Sequence, residues 1–176
     1  MEAILSLGSN LGDRKQHLED AIRALRTLPE TRVGAIAPLY ETEPVDVPEA
    51  FRSQNYYNTA VILETTLEPD ILSLAVHAIE ADLGRVRDGV RNSPRTIDID
   101  IIACDEMRSD RKDLRLPHPE ASSRRFVCQP IADLRPGYVL PGQPRTVSEI
   151  LESLPETPSI RPAPEKWHTL SLSPEN

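Results

Sequence analysis

Hydrophobic and polar positions switch between two periods along this chain, and the switches mark out its elements. Residues 3–7 (AILSL) form a short apolar run with β propensity, ended by the turn Gly8-Ser9-Asn10-Leu11-Gly12. Leu18, Ala21, Ile22 and Leu25 then recur at helical spacing, behind Asp13 as a cap with Gln16 three residues on, a pattern resembling a capping box. That helix should end near Leu28-Pro29. Residues 32–40 (RVGAIAPLY) predict a second strand, which Gly34 and Pro38 place at an edge or give a bulge. A polar, turn-rich connection, VDVPEAFRSQ, follows Thr42 and Pro44, and residues 56–64 (YYNTAVILE) are apolar enough for a central third strand. Pro69 opens a second helix, Leu72, Val76, Ile79 and Leu83 make its apolar stripe, and Gly84 stands where a glycine ends it. Residues 96–103 read as a fourth strand.

Strand, helix, strand, strand, helix, strand is the split βαβ order of a ferredoxin-like α+β sandwich, an antiparallel sheet covered by two helices. The 176 residues suit one domain, read here as 1–160, followed by a proline-rich tail over 161–176 that is extended or disordered. Beyond the fourth strand, RLPHP (115–119) predicts an extended stretch. Residues 122–134 predict a helical segment broken by Pro130, and Thr146 with Glu149 a capping box ahead of Ile150, Leu151 and Leu154.

Composition narrows the function classes. A formal net charge of -8 argues against a general nucleic-acid or membrane-surface binder, which needs a broad basic field. Only Lys15, Lys112 and Lys166 are lysines, so the positive charge is mostly guanidinium, able to grip phosphate oxygens in two-pronged fashion. Cys104 and Cys128 suggest neither a disulfide framework nor a zinc site. The N-terminal residues do not resemble a signal peptide and no window reaches the length of a membrane span, so a cytoplasmic protein is the expectation; it is read as a monomer.

The chemistry concentrates in residues 84–102, GRVRDGVRNSPRTIDIDII. Arg85, Arg87, Arg91 and Arg95 lie in a segment opened by Gly89, Ser93 and Pro94, which feeds the fourth strand. Alternation puts Asp98 and Asp100 on one face, with Cα atoms roughly 6.6 Å apart, and Ile97, Ile99 and Ile101 on the other. Such a pair suits a hard cation such as Mg²⁺, and arginines beside it suggest a polyphosphate. Alone, the aspartates could equally be a solvated face or charges guarding an edge, and the arginines a solvated loop. Arg95 three residues upstream, with His118 and Arg124 in a short later segment, favours the site. Tyr56 and Phe126 would ordinarily be core aromatics, Asn58 needs a partner if buried, and His77 with Glu80 reads as a helix-face pair. No GxxxxGK[ST] element occurs, and GSNLG resembles a phosphate turn only superficially, so side chains and metal would have to hold any phosphates.

Taken together, LGSNLGDR (7–14), YETEP (40–44), YYNTAV (56–61), IEADLGRVR (79–87), PRTIDIDII (94–102), and LPHP with RRFV (116–127) resemble one family, the 6-hydroxymethyl-7,8-dihydropterin pyrophosphokinases of folate biosynthesis. The resemblance runs to about Gly142. It implies transfer of the β,γ-pyrophosphoryl group of ATP to the pterin hydroxymethyl oxygen, with AMP released. It further implies two Mg²⁺ ions on Asp98 and Asp100, and catalytic arginines at Arg85 and Arg95. A pterin pocket falls on Thr42, Pro44, Val45, Tyr56, Asn58 and Phe126. ATP contacts fall on His77, Glu80, Arg85, Arg87, Arg95, Ile101, His118 and Arg124. Two departures stand out: Asn92 where many members carry tryptophan, and His77 where the family often has glutamine. A non-catalytic nucleotide- or pterin-binding module is the main alternative, though it need not keep both aspartates. Another Mg²⁺-dependent nucleotide transferase is a second, separable by whether AMP or ADP accumulates.

Overall fold

The computed structural model describes residues 1–44, 47, 49–85 and 94–167. In chain order the elements are β1 (Glu2–Ser9), α1 (Arg14–Arg26), β2 (Thr31–Ile36), β3 (Tyr40–Thr42), β4 (Tyr56–Thr65), α2 (Pro69–Asp82), β5 (Asp98–Cys104), β6 (Ser109–Arg111), β7 (Leu114–Leu116), α3 (Arg125–Leu134), α4 (Val147–Ser153) and β8 (Ile160–Pro162). β1, buried from Ala3 to Ser9, runs antiparallel to β4 on one side and β5 on the other. β2 pairs with the C-terminal half of β4 and β3 with its N-terminal half. The fold is ferredoxin-like α+β. The expected second strand is two strands, because Pro38 lies between them and has no N–H to give a ladder. Gly34 is the bulge residue: Val33 pairs with Leu63 and Ala35 with Ile62, leaving it out of register.

The sheet is covered on both faces rather than by two helices alone. Leu18, Ile22 and Leu25 of α1 and Leu72, Val76 and Ile79 of α2 pack against Leu5, Leu7, Val61, Leu63, Ile99 and Ile101. Val127 and Ile131 of α3, with Val147 of α4, close over Ile4, Ala60, Ile62 and Ile102 on the opposite face. Pro130 does not break α3. The helix loses one backbone bond there, and its buried face of Val127, Cys128 and Ile131 carries it past the gap. Of the predicted caps, Thr146 and Glu149 make the full reciprocal box. Asp13 accepts the Gln16 N–H at 3.0 Å, but the Gln16 side chain turns to Asp20 instead of completing the box. Gly84 ends α2 with φ +80, a conformation that disfavours any side chain.

Where the proline content predicts a tail, β8 joins the edge of the sheet beside β3, pairing Tyr40 with Pro162, Glu41 with Arg161 and Thr42 with Ile160. Residues 168–176 lie outside the described residues. Among the described residues no helix is long and apolar enough to cross a membrane.

Candidate active site

Strand alternation in β5 sends Ile99 and Ile101 into the α1/α2 core and turns Asp98 and Asp100 toward the α3 side. Asp98 is gripped from two directions: Arg95 Nη1 donates to Oδ2 at 2.7 Å, and Arg85 pairs with Oδ1. Arg85 follows the α2 cap and also pairs with Glu80, whose carboxylate is 2% exposed and accepts the Ile99 N–H at 2.8 Å. Glu80 therefore fixes the backbone between the two aspartates. Arg95 is held by the N-terminal turn, since its N–H donates to Asn10 Oδ1 at 2.8 Å and its carbonyl accepts the Asn10 N–H at 3.2 Å. Burial, followed by the charges of Asp98 and Glu80, pushes the Asp100 carboxyl up to about 7, against the opposing pull of Arg124 and Arg85.

Two cavities flank this strand. The first is lined by Thr42, Tyr56, Asn58 and Phe126 together with Arg95, Asp98, Asp100, Arg124, Ser6, Gly8 and Glu43. In it Asn58 Nδ2 donates to Thr42 Oγ1 at 2.6 Å, and the Arg124 guanidinium lies 5.5 Å from the centre of the Phe126 ring. Gly8 sits opposite Asn58 in the β1–β4 register, and a Cβ there would come within 2.7 Å of Asn58 Oδ1. The second cavity is lined by His77, Asp100, Ile101 and His118, with Ser73, Lys112, Asp113 and Arg115 among their neighbours. Asp100 is the one residue common to both linings. His118 is anchored by its N–H to the Ile102 carbonyl at 2.8 Å, and its Nδ1 accepts the Glu120 N–H at 3.3 Å. Burial, then Arg124, lowers its pKa, so it is a neutral imidazole whose Nε2–H remains to donate.

Thr42, Tyr56, Asn58 and Phe126 thus share one cavity, and His77, Ile101 and His118 share the other. Arg95 and Arg124 line the first cavity rather than the second. Glu80 and Arg85 line neither and act through Ile99 and Asp98. Pro44 is half-buried and lines neither. Val45, Arg87, Arg91 and Asn92 lie outside the described residues. Sequence reasoning missed Ser6 and Gly8, which pair with Asp100 and Asp98 across the β1–β5 ladder, and also Glu43, Ser73, Lys112, Asp113 and Arg115. For Ser6 and Gly8 the signal existed as small residues alternating on one strand, but only the ladder register ties them to the aspartates.

The family described as 7,8-dihydro-6-hydroxymethylpterin-pyrophosphokinase (HPPK) matches residues 4–136, the span holding every side chain of both aspartate-lined cavities. The chain belongs to this family. The 2-amino-4-hydroxy-6-hydroxymethyldihydropteridine pyrophosphokinase of Pseudomonas aeruginosa is 39% identical over 151 residues, covering 86% of this chain and 90% of that one. The enzyme of the same description from Bacillus subtilis is 36% identical over 132 residues, covering 75% and 77%. Among solved structures, Plasmodium falciparum HPPK-DHPS, wild type with pteroate, gives a TM-score of 0.66 at 14% identity, over 86% of this chain and 44% of that one, a likeness of fold. As a member of the HPPK family the chain is an enzyme of folate biosynthesis, carrying out ATP-dependent pyrophosphoryl transfer to hydroxymethyldihydropterin.

Proposed function

We propose that the two cavities are the two substrate sites of this reaction, and that the β,γ-pyrophosphoryl group of ATP passes between them beside Asp98 and Asp100 to the pterin hydroxymethyl oxygen, leaving AMP. The observation that carries this reading is that Asp100 faces both cavities. The first takes the pterin: Tyr56 and Phe126 offer aromatic surface to a flat ring, Asn58 reads its polar edge, and Thr42 closes one side; Pro44 and Val45, the next pterin positions that the family resemblance implies, follow Thr42 by two and three residues in the chain. The second takes the nucleotide against His77, Ile101 and His118. Of the other nucleotide positions that the family resemblance implies, Arg124 reaches the phosphates from the first cavity, beside Asp98 and Asp100, Glu80 acts through Arg85 and the Ile99 N–H, and Arg87 lies outside the described residues.

The residues fit Mg²⁺. Asp98 and Asp100 offer only oxygen donors, and the Asp100 carboxyl is raised by burial first and then by the charges of Asp98 and Glu80, like charges that a cation relieves. Among the described residues no cluster of three or more His, Cys, Asp or Glu side chains is formed, so substrate phosphates and water would complete the shell, as Mg²⁺ favours. Two such ions, when bound, neutralise charge on the phosphate oxygens. Arg85 and Arg95, locked by Asp98, hold guanidinium groups in place before reaction, so little reorganisation is needed as charge develops. On this reading the chain works as a cytoplasmic monomer.

The test is direct. Protein, MgATP and 6-hydroxymethyl-7,8-dihydropterin should yield AMP and the pterin pyrophosphate, and Asp98→Ala or Asp100→Ala should remove most turnover. ADP in place of AMP, or wild-type turnover in either variant, overturns the assignment.

A further inference from the structure

The segment after α4 is tied to the wall of the first cavity more closely than its proline content predicts. β3 is three residues long, at the short end of strand lengths, and is paired on both edges. β4 supports one edge, and residues 159–167 support the other. Ser159 accepts the Glu43 N–H at 3.2 Å and returns its own N–H to the Glu43 carboxylate at 2.9 Å. The Arg161 guanidinium donates twice to Glu41 Oε2, at 3.1 and 2.6 Å, and the other Glu41 oxygen is taken by Arg14 at 3.2 Å. Farther along, the Ala163 N–H donates to the Leu39 carbonyl at 2.8 Å, and the Trp167 indole N–H to the Ala37 carbonyl at 2.9 Å. Thr42 and Glu43, the two cavity residues on this stretch, are thereby fixed from outside, and Thr42 in turn receives the Asn58 side chain.

We propose that residues 159–167 are a positioning strap of the pterin subsite, setting its affinity and discrimination through Thr42, Glu43 and Asn58 without touching the pterin. This rests on the assignment of the first cavity to the pterin. The strap lies beyond residues 4–136; none of its residues lines the second cavity, whereas Ser159 and Ile160 line a groove that shares Thr42, Glu43, Arg124 and Phe126 with the first. Its effect therefore falls on one substrate. A segment that merely stabilised the fold would weaken both.

The measurement is equilibrium binding of the pterin and, separately, of a non-hydrolysable ATP analogue with Mg²⁺, to the full chain carrying Arg161→Ala, Trp167→Ala or both. The double variant should bind the pterin about tenfold more weakly while its affinity for the ATP analogue changes less than about twofold. Arg161→Lys, which keeps the charge but not the double donation, should fall between Arg161→Ala and wild type. Equal losses for both ligands, or no loss for the pterin in variants that melt as wild type, overturn the strap. Should the double variant fail to fold, Arg161→Ala alone, a change at an exposed side chain, carries the same comparison. Asn58→Ala serves as the reference: if it too binds pterin as wild type does, the assignment of the cavity fails and the strap falls with it. If Asn58→Ala is impaired and the strap variants are not, only the strap fails.

Discussion

Glu80 accepts the backbone N–H of Ile99 at 2.8 Å, a bond from the last turn of α2 to the residue that separates the two aspartates. Carboxylate and amide are both buried, so neither finds water if the other is removed. Glu80→Ala should cost about 1–3 kcal/mol of stability and lower turnover, because Arg85 and Ile99 lose their common anchor. Glu80→Gln, which keeps an acceptor for Ile99, should retain most of the stability and lose turnover. Denaturant melts alongside initial rates separate the two effects; equal stability loss in both variants would show that the charge, not the bond to Ile99, matters.

Asp100 is expected to trade stability for function. In the folded chain its carboxyl is pushed up to about 7 from 3.8 by burial and by Asp98 and Glu80. The protonated form thus favours folding most fully below pH 3.8, and that contribution is lost as pH rises through about 7. Above that pH, with no divalent cation present, Asp100→Asn should melt higher than wild type while having lost nearly all turnover. A lower melting temperature for the variant under those conditions contradicts the like-charge pairing.

On the proposed Mg²⁺ assignment, the same proton competes with the cation. Mg²⁺ needs the ionised carboxylate, so binding in the presence of an ATP analogue should weaken as pH falls through about 7 and should release a proton. Calorimetry in buffers of different ionisation enthalpy counts that proton. Uptake, or no exchange near neutral pH, would contradict the assignment of Asp100 as a ligand.

Gly8 is a close-approach position. A methyl group there meets Asn58 Oδ1 at 2.7 Å, and Asn58 cannot retreat without leaving Thr42. Gly8→Ala should cost about 1–3 kcal/mol through overpacking and raise the KM for the pterin more than that for ATP. A rise confined to ATP would place Asn58 in the wrong cavity.

Much of this is legible in the sequence, wherever the signal is local. Period-two alternation set Asp98 and Asp100 on one face, the stripe from Leu72 to Leu83 gave α2, and Thr146 with Glu149 announced α4. The pairing of non-local partners was not legible. Ser6 and Gly8 belong to the site because β1 lies against β5, and which strands pair in which register is decided by tertiary packing rather than by composition. Pro130 misled for a related reason, since the penalty of a proline inside a helix is local and the packing of α3 on the sheet that outweighs it is not. The β3–β8 pairing hides for another reason: backbone bonds carry it, and a proline-rich segment shows no alternating pattern to reveal them.

β8 also determines where the sheet stops. Tyr40–Thr42 would otherwise present bare amide and carbonyl groups, a template for a strand from another molecule. The strand that covers it brings a charged side chain at Arg161 and, at Pro162, a residue with no N–H to offer, so growth of the ladder is discouraged at the new rim. Proteolytic nicking ahead of Ser159 should therefore do more than loosen a pocket: it uncovers a sticky border, and the clipped protein should form concentration-dependent aggregates where the intact chain stays dispersed.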